Sequence, residues 1–134
     1  MAKIVQISEA ASLAIHAMVL IARAENQINV NVIADHTGAS RNHLAKVMQR
    51  LVKDGYLKST RGPLGGFVLN KKAKDINFLE IYESIEGIVL ETTCPLDRPV
   101  CPFDKCLMGG LVTKLTNEFK DYMKGQTLDL YIEA

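Results

Sequence analysis

The segment from residue 40 to residue 69 constrains the fold more than any other part of the chain. Four large apolar side chains follow a spacing of i, i+3, i+4 and i+7, and these are Leu44, Val47, Met48 and Leu51. That spacing places all four on one face of an amphipathic helix, which the rest of the chain has to cover. Two short strand-like runs follow, on either side of Arg61-Gly-Pro-Leu-Gly-Gly. We predict a β-hairpin there and assign positive φ angles at its tip to Gly65 and Gly66.

Two further helices are predicted ahead of this segment. Ser8 is suited to cap a first helix, and a short second helix is expected over residues 31 to 36. Gly38 can supply the left-handed residue that ends the second helix, and Ser40 then caps the third. Two helices joined by a tight turn that contains glycine form the helix-turn-helix pattern. Together with the hairpin, the pattern predicts a winged helix-turn-helix, a mainly α fold with a small β-hairpin wing.

Charge is distributed unevenly along the chain. Residues 1–75 contain eleven Lys or Arg and five Asp or Glu, a net charge of +6, whereas residues 76–134 contain five and ten, a net charge of −5. Nine of the basic residues and a single acid, Asp54, lie between positions 41 and 74. A solvated charged face is the simplest explanation, but a basic patch on a helix-turn-helix is typical of nucleic-acid binding.

The polar side of the third helix and the hairpin tip carry the side chains that DNA recognition requires. Long donors reach phosphates and base edges, and the first turn of a recognition helix usually enters the major groove. Arg61 at the tip is placed to enter a minor groove. The predicted DNA-contacting residues are Ser40, Arg41, Asn42, His43, Lys46, Arg50, Arg61, Gly62, Gly65 and Gly66.

Residues 76–134 are predicted to hold a packing helix that ends at Gly87, a loop, and a longer helix from about residue 111 to residue 124. The longer helix has more apolar surface than a small winged helix can cover, so we expect it to form a homodimer. Packing within one chain is the alternative. A twofold dimer would suit two half-sites in double-stranded DNA. We therefore expect a DNA-binding region over residues 1–75 and a cysteine loop with a dimerisation helix over residues 76–134, within a single compact domain.

All three cysteines lie in one proline-containing loop, as Cys94, Cys101 and Cys106. Thiolates held close together by a short loop are ligands for a soft metal or an iron–sulfur cluster. The spacing C-x6-C-x4-C matches neither a paired C-x2-C zinc site nor the ferredoxin run, so the metal stays open, with unligated redox-reactive thiols as the alternative. An odd number of cysteines fits a reducing compartment, and the longest apolar run is too short for a transmembrane helix. We expect a cytoplasmic protein without membrane association.

Several motifs resemble the IscR/NsrR family of winged-helix transcription regulators, the Rrf-two type, over almost the whole chain. Ser40-Arg-Asn-His-Leu-Ala-Lys-Val is similar to the start of the recognition helix in nitric-oxide-responsive members. Gly55-Tyr-Leu, Arg61-Gly-Pro-Leu-Gly-Gly-Phe and Ile85-Glu-Gly match the family's wing and the helix after it. Thr127-Leu-Asp-Leu is similar to the segment that often closes these chains. The resemblance implies a dimeric DNA-binding protein, usually a repressor.

The resemblance also implies a cofactor. In cluster-binding members three loop cysteines hold a [2Fe–2S] or [4Fe–4S] cluster, and the matching residues are Cys94, Cys101 and Cys106. Reaction of the cluster with nitric oxide or redox species, or its loss, would change the affinity for DNA.

The fourth ligand departs from the family's pattern. Gly109 stands where some members have a His, and Ser12 stands where others have an acid from the partner's first helix. Glu9 lies one turn before Ser12 on the same helix face, so we predict Glu9 as the substitute ligand, with Asp97 and Asp104, which are nearer to the cysteines in sequence, as the alternatives.

Two other functions remain open from the sequence. A thiol switch or a zinc-braced regulator would keep DNA binding without a cluster. A small electron-transfer protein would use the cysteine loop alone, but it would leave the basic wing unexplained. The sequence contains no Ser/His/Asp arrangement or paired acids in a catalytic motif, so we do not expect an enzyme.

Overall fold

The computed structural model describes residues 2–62, 65–90 and 102–132. Its α-helices are α1 (Glu9–Arg23), α2 (Val30–Thr37), α3 (Arg41–Lys53), α4 (Phe78–Glu86) and α5 (Leu111–Gly125). Two strands, β1 (Leu57–Thr60) and β2 (Gly66–Leu69), form an antiparallel hairpin between α3 and α4. Short 3-10 helices cover Ala73–Asp75 and Leu128–Tyr131. The predicted fold class, mainly α with a hairpin wing and a long C-terminal helix, is confirmed.

Helix starts are fixed by side chains that satisfy free backbone N–H groups. The Ser8 hydroxyl accepts a hydrogen bond from the N–H of Ala11 at 3.0 Å, and the Ser40 hydroxyl accepts one from the N–H of His43 at 3.1 Å. Helix α2 ends at Gly38, which has a φ angle of 73°. The two predicted caps and the predicted left-handed stop are therefore confirmed. Helix α2 is one residue longer at each end than predicted.

One hydrophobic core joins both parts of the chain. The predicted apolar stripe of α3 is buried in it, as Leu44, Val47, Met48 and Leu51. Ile81 of α4 and Leu128 of the last 3-10 helix are fully buried in the same core. Truncating side chains of this kind to alanine typically costs about 2–5 kcal/mol. Helix α3 is therefore packed directly against residues that follow position 75.

The closing segment of the chain is attached to the start of α4. The N–H of Phe78 donates to the carbonyl of Gln126 at 2.9 Å, and the N–H of Leu128 donates to the carbonyl of Ile76 at 3.1 Å. The rings of Phe78 and Tyr131 stack with centroids 5.3 Å apart. The residues after α5 thus form part of the same packed unit.

Helix α5 packs on α4 along one face and leaves a neighbouring apolar face bare. The ring of Phe119 meets Tyr82 of α4 edge-on at 5.1 Å. Leu111, Leu115 and Tyr122 are 46%, 43% and 60% exposed. Packing within one chain therefore accounts for one face of α5 and not for the other. None of the helices in the described part of the chain is long and apolar enough to cross a membrane.

Candidate nucleic-acid interface and cysteine site

The polar face of α3 is held outward because its apolar face is buried in the core. Arg41, Asn42, Lys46 and Gln49 are exposed to solvent, and His43 is half-buried. Arg41, Asn42 and His43 lie in the first turn, where free backbone N–H groups and the helix dipole favour an anion. This end of α3 can therefore bind phosphate oxygens and present donors to base edges.

The hairpin is closed by hydrogen bonds at the end of β1. The N–H of Gly66 donates to the Thr60 hydroxyl at 2.8 Å, and that hydroxyl donates to the Gly66 carbonyl at 3.2 Å. Gly62 has a φ angle of 100°, and its carbonyl accepts the N–H of Gly65 at 2.9 Å. Arg61 is exposed. Residues 63 and 64 at the tip lie outside the described part. Within it, the wing exposes two basic side chains, Arg61 next to the tip and Lys58 in β1.

The conformational role predicted for Gly65 and Gly66 is wrong, because neither residue has a positive φ angle. Both are instead crowded by main-chain atoms. A Cβ atom at Gly65 would lie 2.6 Å from the carbonyl oxygen of Thr60, and one at Gly66 would lie 2.6 Å from the carbonyl oxygen of Ile28. Glycine is therefore required at these two positions by close approach of the backbone.

A third extended segment anchors the wing. The N–H of Phe67 donates to the carbonyl of Ile28 at 2.8 Å, and the N–H of Ile28 donates to the carbonyl of Phe67 at 3.2 Å. Ile28 directly precedes Asn29, the N-cap of α2. The wing is thus fixed to the helix-turn-helix through the backbone. We did not predict this pairing, because a single bridged pair has no periodicity to detect.

A further basic residue lies at the base of the wing. The Nζ atom of Lys71 is 4.7 Å from the centroid of the Tyr56 ring, within the range of a cation–π contact. Burial and then the nearby carboxylate of Glu80 raise the pKa of Tyr56. Lys71 is exposed and adds a phosphate-contacting candidate to those predicted.

Arg50 occupies a different environment from the other predicted DNA-contacting residues. Its Nε atom donates to the carbonyl oxygen of Ser84 in α4 at 2.9 Å and lies 3.4 Å from Oδ2 of Asp54. The Ser84 hydroxyl donates to the same carboxylate oxygen of Asp54. These contacts hold the Nε side of the guanidinium against α4, while the side chain as a whole is 53% exposed. DNA contact by Arg50 stays a prediction, and the bonds to α4 favour a positioning role for this residue.

Glu9 lies beside the start of the recognition helix. Its Oε1 atom is 3.9 Å from Nδ1 of His43, and its side chain is 75% exposed. An ion pair forms there when His43 is protonated. Glu9 thus borders the candidate DNA-binding surface, and its role as a cluster ligand stays a prediction.

The structure describes one of the three predicted cysteine ligands. Cys94 and Cys101 lie outside the described residues, whereas Cys106 is described and exposed. Within residues 2–62, 65–90 and 102–132, no three His, Cys, Asp or Glu side chains converge as a metal site would require. Ligation by all three cysteines therefore stays a prediction.

The surroundings of Cys106 suit a thiolate. The backbone N–H groups of Gly110 and then Met108 hold the pKa of the thiol below its ordinary value, and they outweigh the opposing effect of desolvation. Gly109 and Gly110 have φ angles of 59° and 77°. A thiolate is the form of cysteine that binds metals and reacts with oxidants. The described end of the loop is therefore compatible with a cluster ligand.

The fold and the exposed basic face of α3 define a winged helix-turn-helix protein. A sequence profile of the Rrf2 family, described as iron-dependent transcriptional regulators, matches residues 7–134. The chain therefore belongs to the Rrf2 family, a family of transcriptional regulators and not of enzymes. The resemblance drawn from the wing and recognition-helix motifs is confirmed.

Curated relatives agree with this assignment. The chain is similar to the HTH-type transcriptional regulator IscR of Pectobacterium atrosepticum, with 30% identity over 105 residues, which cover 78% of this chain and 64% of that protein. It is 31% identical to IscR of Escherichia coli K12 over 96 residues, which cover 72% of this chain and 59% of that protein. The chain thus spans less than two thirds of the length of these relatives.

Solved structures share the fold. CymR, the global cysteine regulator of B. subtilis, gives a TM-score of 0.77 at 22% identity over 96% of this chain and 97% of that chain. The IscR of T. potens gives 0.73 at 22% identity over 93% and 84%. An oxidized form of Staphylococcus aureus CymR gives 0.77 at 22% identity over 97% and 98%. At this identity the similarity concerns the fold alone.

Proposed function

We propose that the chain is a DNA-binding transcriptional repressor that acts as a homodimer, with an affinity for DNA set by the chemical state of its cysteine loop. One observation carries the proposal: the first turn of α3 exposes Arg41 and Asn42, and a wing that exposes Arg61 is anchored to the same helix-turn-helix. Membership of the Rrf2 family and similarity to proteins named HTH-type transcriptional regulators support it.

The proposed contacts divide by their chemistry. Arg41 and Asn42 enter the major groove, where their side chains can donate to base edges. Lys46 contacts a phosphate, and Arg61 enters the adjacent minor groove, where a narrow groove concentrates negative potential. Gly62 is exposed beside the wing tip and lets the hairpin backbone approach the DNA closely, whereas Gly65 and Gly66 act indirectly, by allowing the close backbone contacts within the protein that hold the wing in place. Ser40 contributes by capping α3, and His43 lies at the edge of the surface.

A homodimer would cover the bare face of α5. Leu111, Leu115 and Tyr122 form an apolar strip on that face. Apolar side chains on a helix that extends from a small core are a typical interface between copies of a chain. Two copies related by a twofold axis would present two recognition helices to two half-sites.

For the regulatory site we propose an iron–sulfur cluster held by Cys94, Cys101 and Cys106, with Glu9 as the candidate fourth ligand. A bound cluster supplies a redox-active centre that reacts with nitric oxide or oxidants. The described residues contribute through Cys106: donation from the backbone N–H groups of Gly110 and its neighbours stabilises a thiolate sulfur and so favours metal binding.

A thiol switch without a cluster is the second candidate. Cys106 is exposed and its pKa is lowered by hydrogen bonds from Gly110 and the neighbouring backbone, the combination that makes a thiol reactive towards oxidants. The similarity of fold to a CymR solved in an oxidized form is compatible with it. Counting iron and acid-labile sulfide per chain in anaerobically purified protein separates this candidate, and a zinc-braced one, from a cluster.

DNA selection tests the proposed function directly. The purified protein is used to select duplexes from a random library, and fluorescence anisotropy then measures affinity across a salt series. We expect a selected two-part site to be bound on the order of 10³-fold or more tightly than unrelated DNA. We also expect the logarithm of affinity to fall linearly with the logarithm of salt concentration. A protein that enriched no sequence and whose binding ignored salt would contradict the proposal.

Lys46→Ala should weaken binding by a similar factor at all DNA sequences. It should also reduce the salt slope by about one, since one phosphate contact is lost. Arg61→Ala should weaken binding most at sites with a narrow minor groove. Lys114→Ala, at an exposed position of α5, is the matched control and should retain the affinity and salt slope of the wild type. Full affinity in both Lys46→Ala and Arg61→Ala would show that the interface is assigned wrongly.

Cys106→Ser should lower the iron and sulfide content of anaerobically purified protein. It should also abolish the difference in DNA affinity between intact and nitric-oxide-treated protein, which we expect to be roughly 5- to 150-fold in the wild type. The substitution keeps the size of the side chain and removes the thiolate. Glu9→Gln is measured alongside, because a loss or spectral shift of the cluster would identify Glu9 as a ligand. Undiminished iron and sulfide in Cys106→Ser would contradict ligation by this residue.

A further inference from the structure

The last turn of α4 is tied by hydrogen bonds to three other parts of the molecule. Ser84 is bonded to the end of α3, as described above. The carboxylate of Glu86 accepts a hydrogen bond from the hydroxyl of Ser8, the N-cap of α1. Oε2 of Glu83 accepts the N–H of Val89 at 2.8 Å. This turn therefore touches the recognition helix, the first helix and the segment that leads to the cysteines.

The contact with α3 is more than a surface ion pair. Arg50 and Asp54 lie four residues apart on α3, and an exposed pair at this spacing contributes little to stability. Here both partners also bond to Ser84, which is 7% exposed: its hydroxyl donates to Asp54 and its carbonyl accepts from Arg50. Hydrogen bonds that involve a charged group are stronger than neutral ones, and part of this network is shielded from water. The network joins two helices whose sequence positions are 34 residues apart.

This contact lies at the opposite end of α3 from the DNA-binding surface, so a small change in the tilt of α3 there moves the DNA-binding residues by a larger distance. Arg50 lies near the end of α3, whereas Arg41 and Asn42 lie in its first turn. At the rise of an α-helix, nine residues separate Arg50 from Arg41 by about 13 Å. A tilt of about 5° around Arg50 would therefore move the first turn by about 1 Å, enough to break base contacts whose hydrogen bonds tolerate only a few tenths of an ångström.

The other side of the turn leads towards the cysteine loop. Helix α4 ends at Gly87, whose φ angle of 94° lies in the region that side chains disfavour. The N–H of Gly87 donates to the carbonyl of Glu83 at 2.9 Å, and the side chain of Glu83 holds Val89 just beyond it. Glu83 thus fixes the direction in which the chain leaves α4.

We propose that Arg50, Asp54 and Ser84 are positioning residues for DNA recognition. They set the tilt of α3, the recognition helix, against α4. Through its hydrogen bond with Val89, Glu83 links the same turn of α4 to the segment that leads to the cysteines. The proposal rests on the proposed DNA-binding function and adds to it residues that act without touching DNA.

The first test measures how strictly the protein requires one spacing between half-sites. A series of selected duplexes is lengthened or shortened by one or two base pairs between the half-sites, and anisotropy gives the affinity for each. In Arg50→Lys and Ser84→Ala, we expect the preference for the best spacing to fall by roughly fivefold or more, within the usual range of coupling between sites. The salt slope should stay that of the wild type, because no phosphate contact is lost.

Lys46→Ala is the control for this series and should show the reverse, a reduced salt slope with an unchanged spacing preference. Arg50→Lys keeps the positive charge but lacks the Nε donor that Ser84 accepts. If Arg50→Lys behaved as the wild type while Arg50→Ala lowered the salt slope by about one, Arg50 would be a phosphate contact and the proposal would be overturned.

The second test needs neither DNA nor a cluster. Amide hydrogen exchange is measured at the end of α3, where the N–H groups of Asp54, Gly55 and Tyr56 bond to carbonyls of the last turn. We expect exchange there to be roughly tenfold faster in Ser84→Ala, and several-fold faster in Glu83→Ala, because local opening becomes easier. Glu118→Ala, at an exposed position of α5, is the matched control for the loss of a carboxylate. Unchanged exchange in Ser84→Ala would overturn the proposal even if the DNA-binding function were established.

Discussion

Leu115→Glu should convert the proposed homodimer into monomers and lower its affinity for a two-half-site DNA by roughly 10²- to 10⁴-fold. Leu115 lies on the bare face of α5 and is 43% exposed in the single chain. A carboxylate placed in an apolar interface loses its hydration without gaining a partner, so association becomes unfavourable. A monomer can hold only one half-site at a time, and the gain that comes from binding both together is lost.

Three measurements separate this effect from unfolding. Sedimentation velocity gives the oligomeric state, circular dichroism gives the helix content, and anisotropy with a duplex that contains a single half-site gives the affinity of one subunit. We expect the last two to match the wild type. Lys114→Glu introduces the same side chain at the neighbouring exposed position of α5 and should remain dimeric. A Leu115→Glu protein that remained dimeric would show that the bare face of α5 serves another purpose.

Features that depend on residue type and short spacing could be predicted from the sequence. The buried apolar stripe of α3, which begins at Leu44, could be predicted from helical periodicity alone. The caps at Ser8 and Ser40 depend on a hydroxyl placed directly before an apolar repeat. Gly38 depends on the tolerance of glycine for the left-handed region. Each of these features is decided within about two turns of chain, so the fold class could be derived before any tertiary contact was known.

Features that depend on contacts between distant residues could not be predicted. Gly66 is required by the backbone of Ile28, and the sequence carries no signal that these two residues meet. Arg50 looks like a DNA contact because it is a long donor on the polar face of α3, yet α4 approaches at that turn and Ser84 takes its Nε–H. The candidate site shows the same division. Arg41 and Asn42 in the first turn of α3 are exposed as predicted. The hydrogen bonds that join α3 to Ser84 of α4 could be identified only from the structure.

Gly66→Ala should lower the free energy of unfolding by about 1–3 kcal/mol, the usual cost of forcing an extra carbon into a filled space. The added Cβ would lie 2.6 Å from the carbonyl oxygen and 2.7 Å from the carbonyl carbon of Ile28. Both are backbone atoms, so no side chain can rotate away to make room. The wing and the Ile28 segment must separate, which strains the two hydrogen bonds between Ile28 and Phe67. Urea titration at an unchanged m value measures the loss.

The same substitution should weaken DNA binding by roughly tenfold, the effect of misplacing one groove contact, because Arg61 is positioned by the hairpin that Ile28 anchors.

Two other glycine variants separate the effect of a steric clash from other effects of replacing a glycine. Gly125→Ala meets open space at the end of α5 and should be neutral or stabilising by up to about 1 kcal/mol. Gly62→Ala also meets open space but has a φ angle of 100°, so it tests backbone strain without a clash. If Gly66→Ala matched Gly125→Ala in both stability and DNA affinity, the pairing of Ile28 with the wing would not be what positions Arg61. If Gly66→Ala instead lost DNA affinity at full stability, the wing would have shifted without unfolding. The contact between Ile28 and the wing would then contribute to DNA recognition and not to the free energy of unfolding.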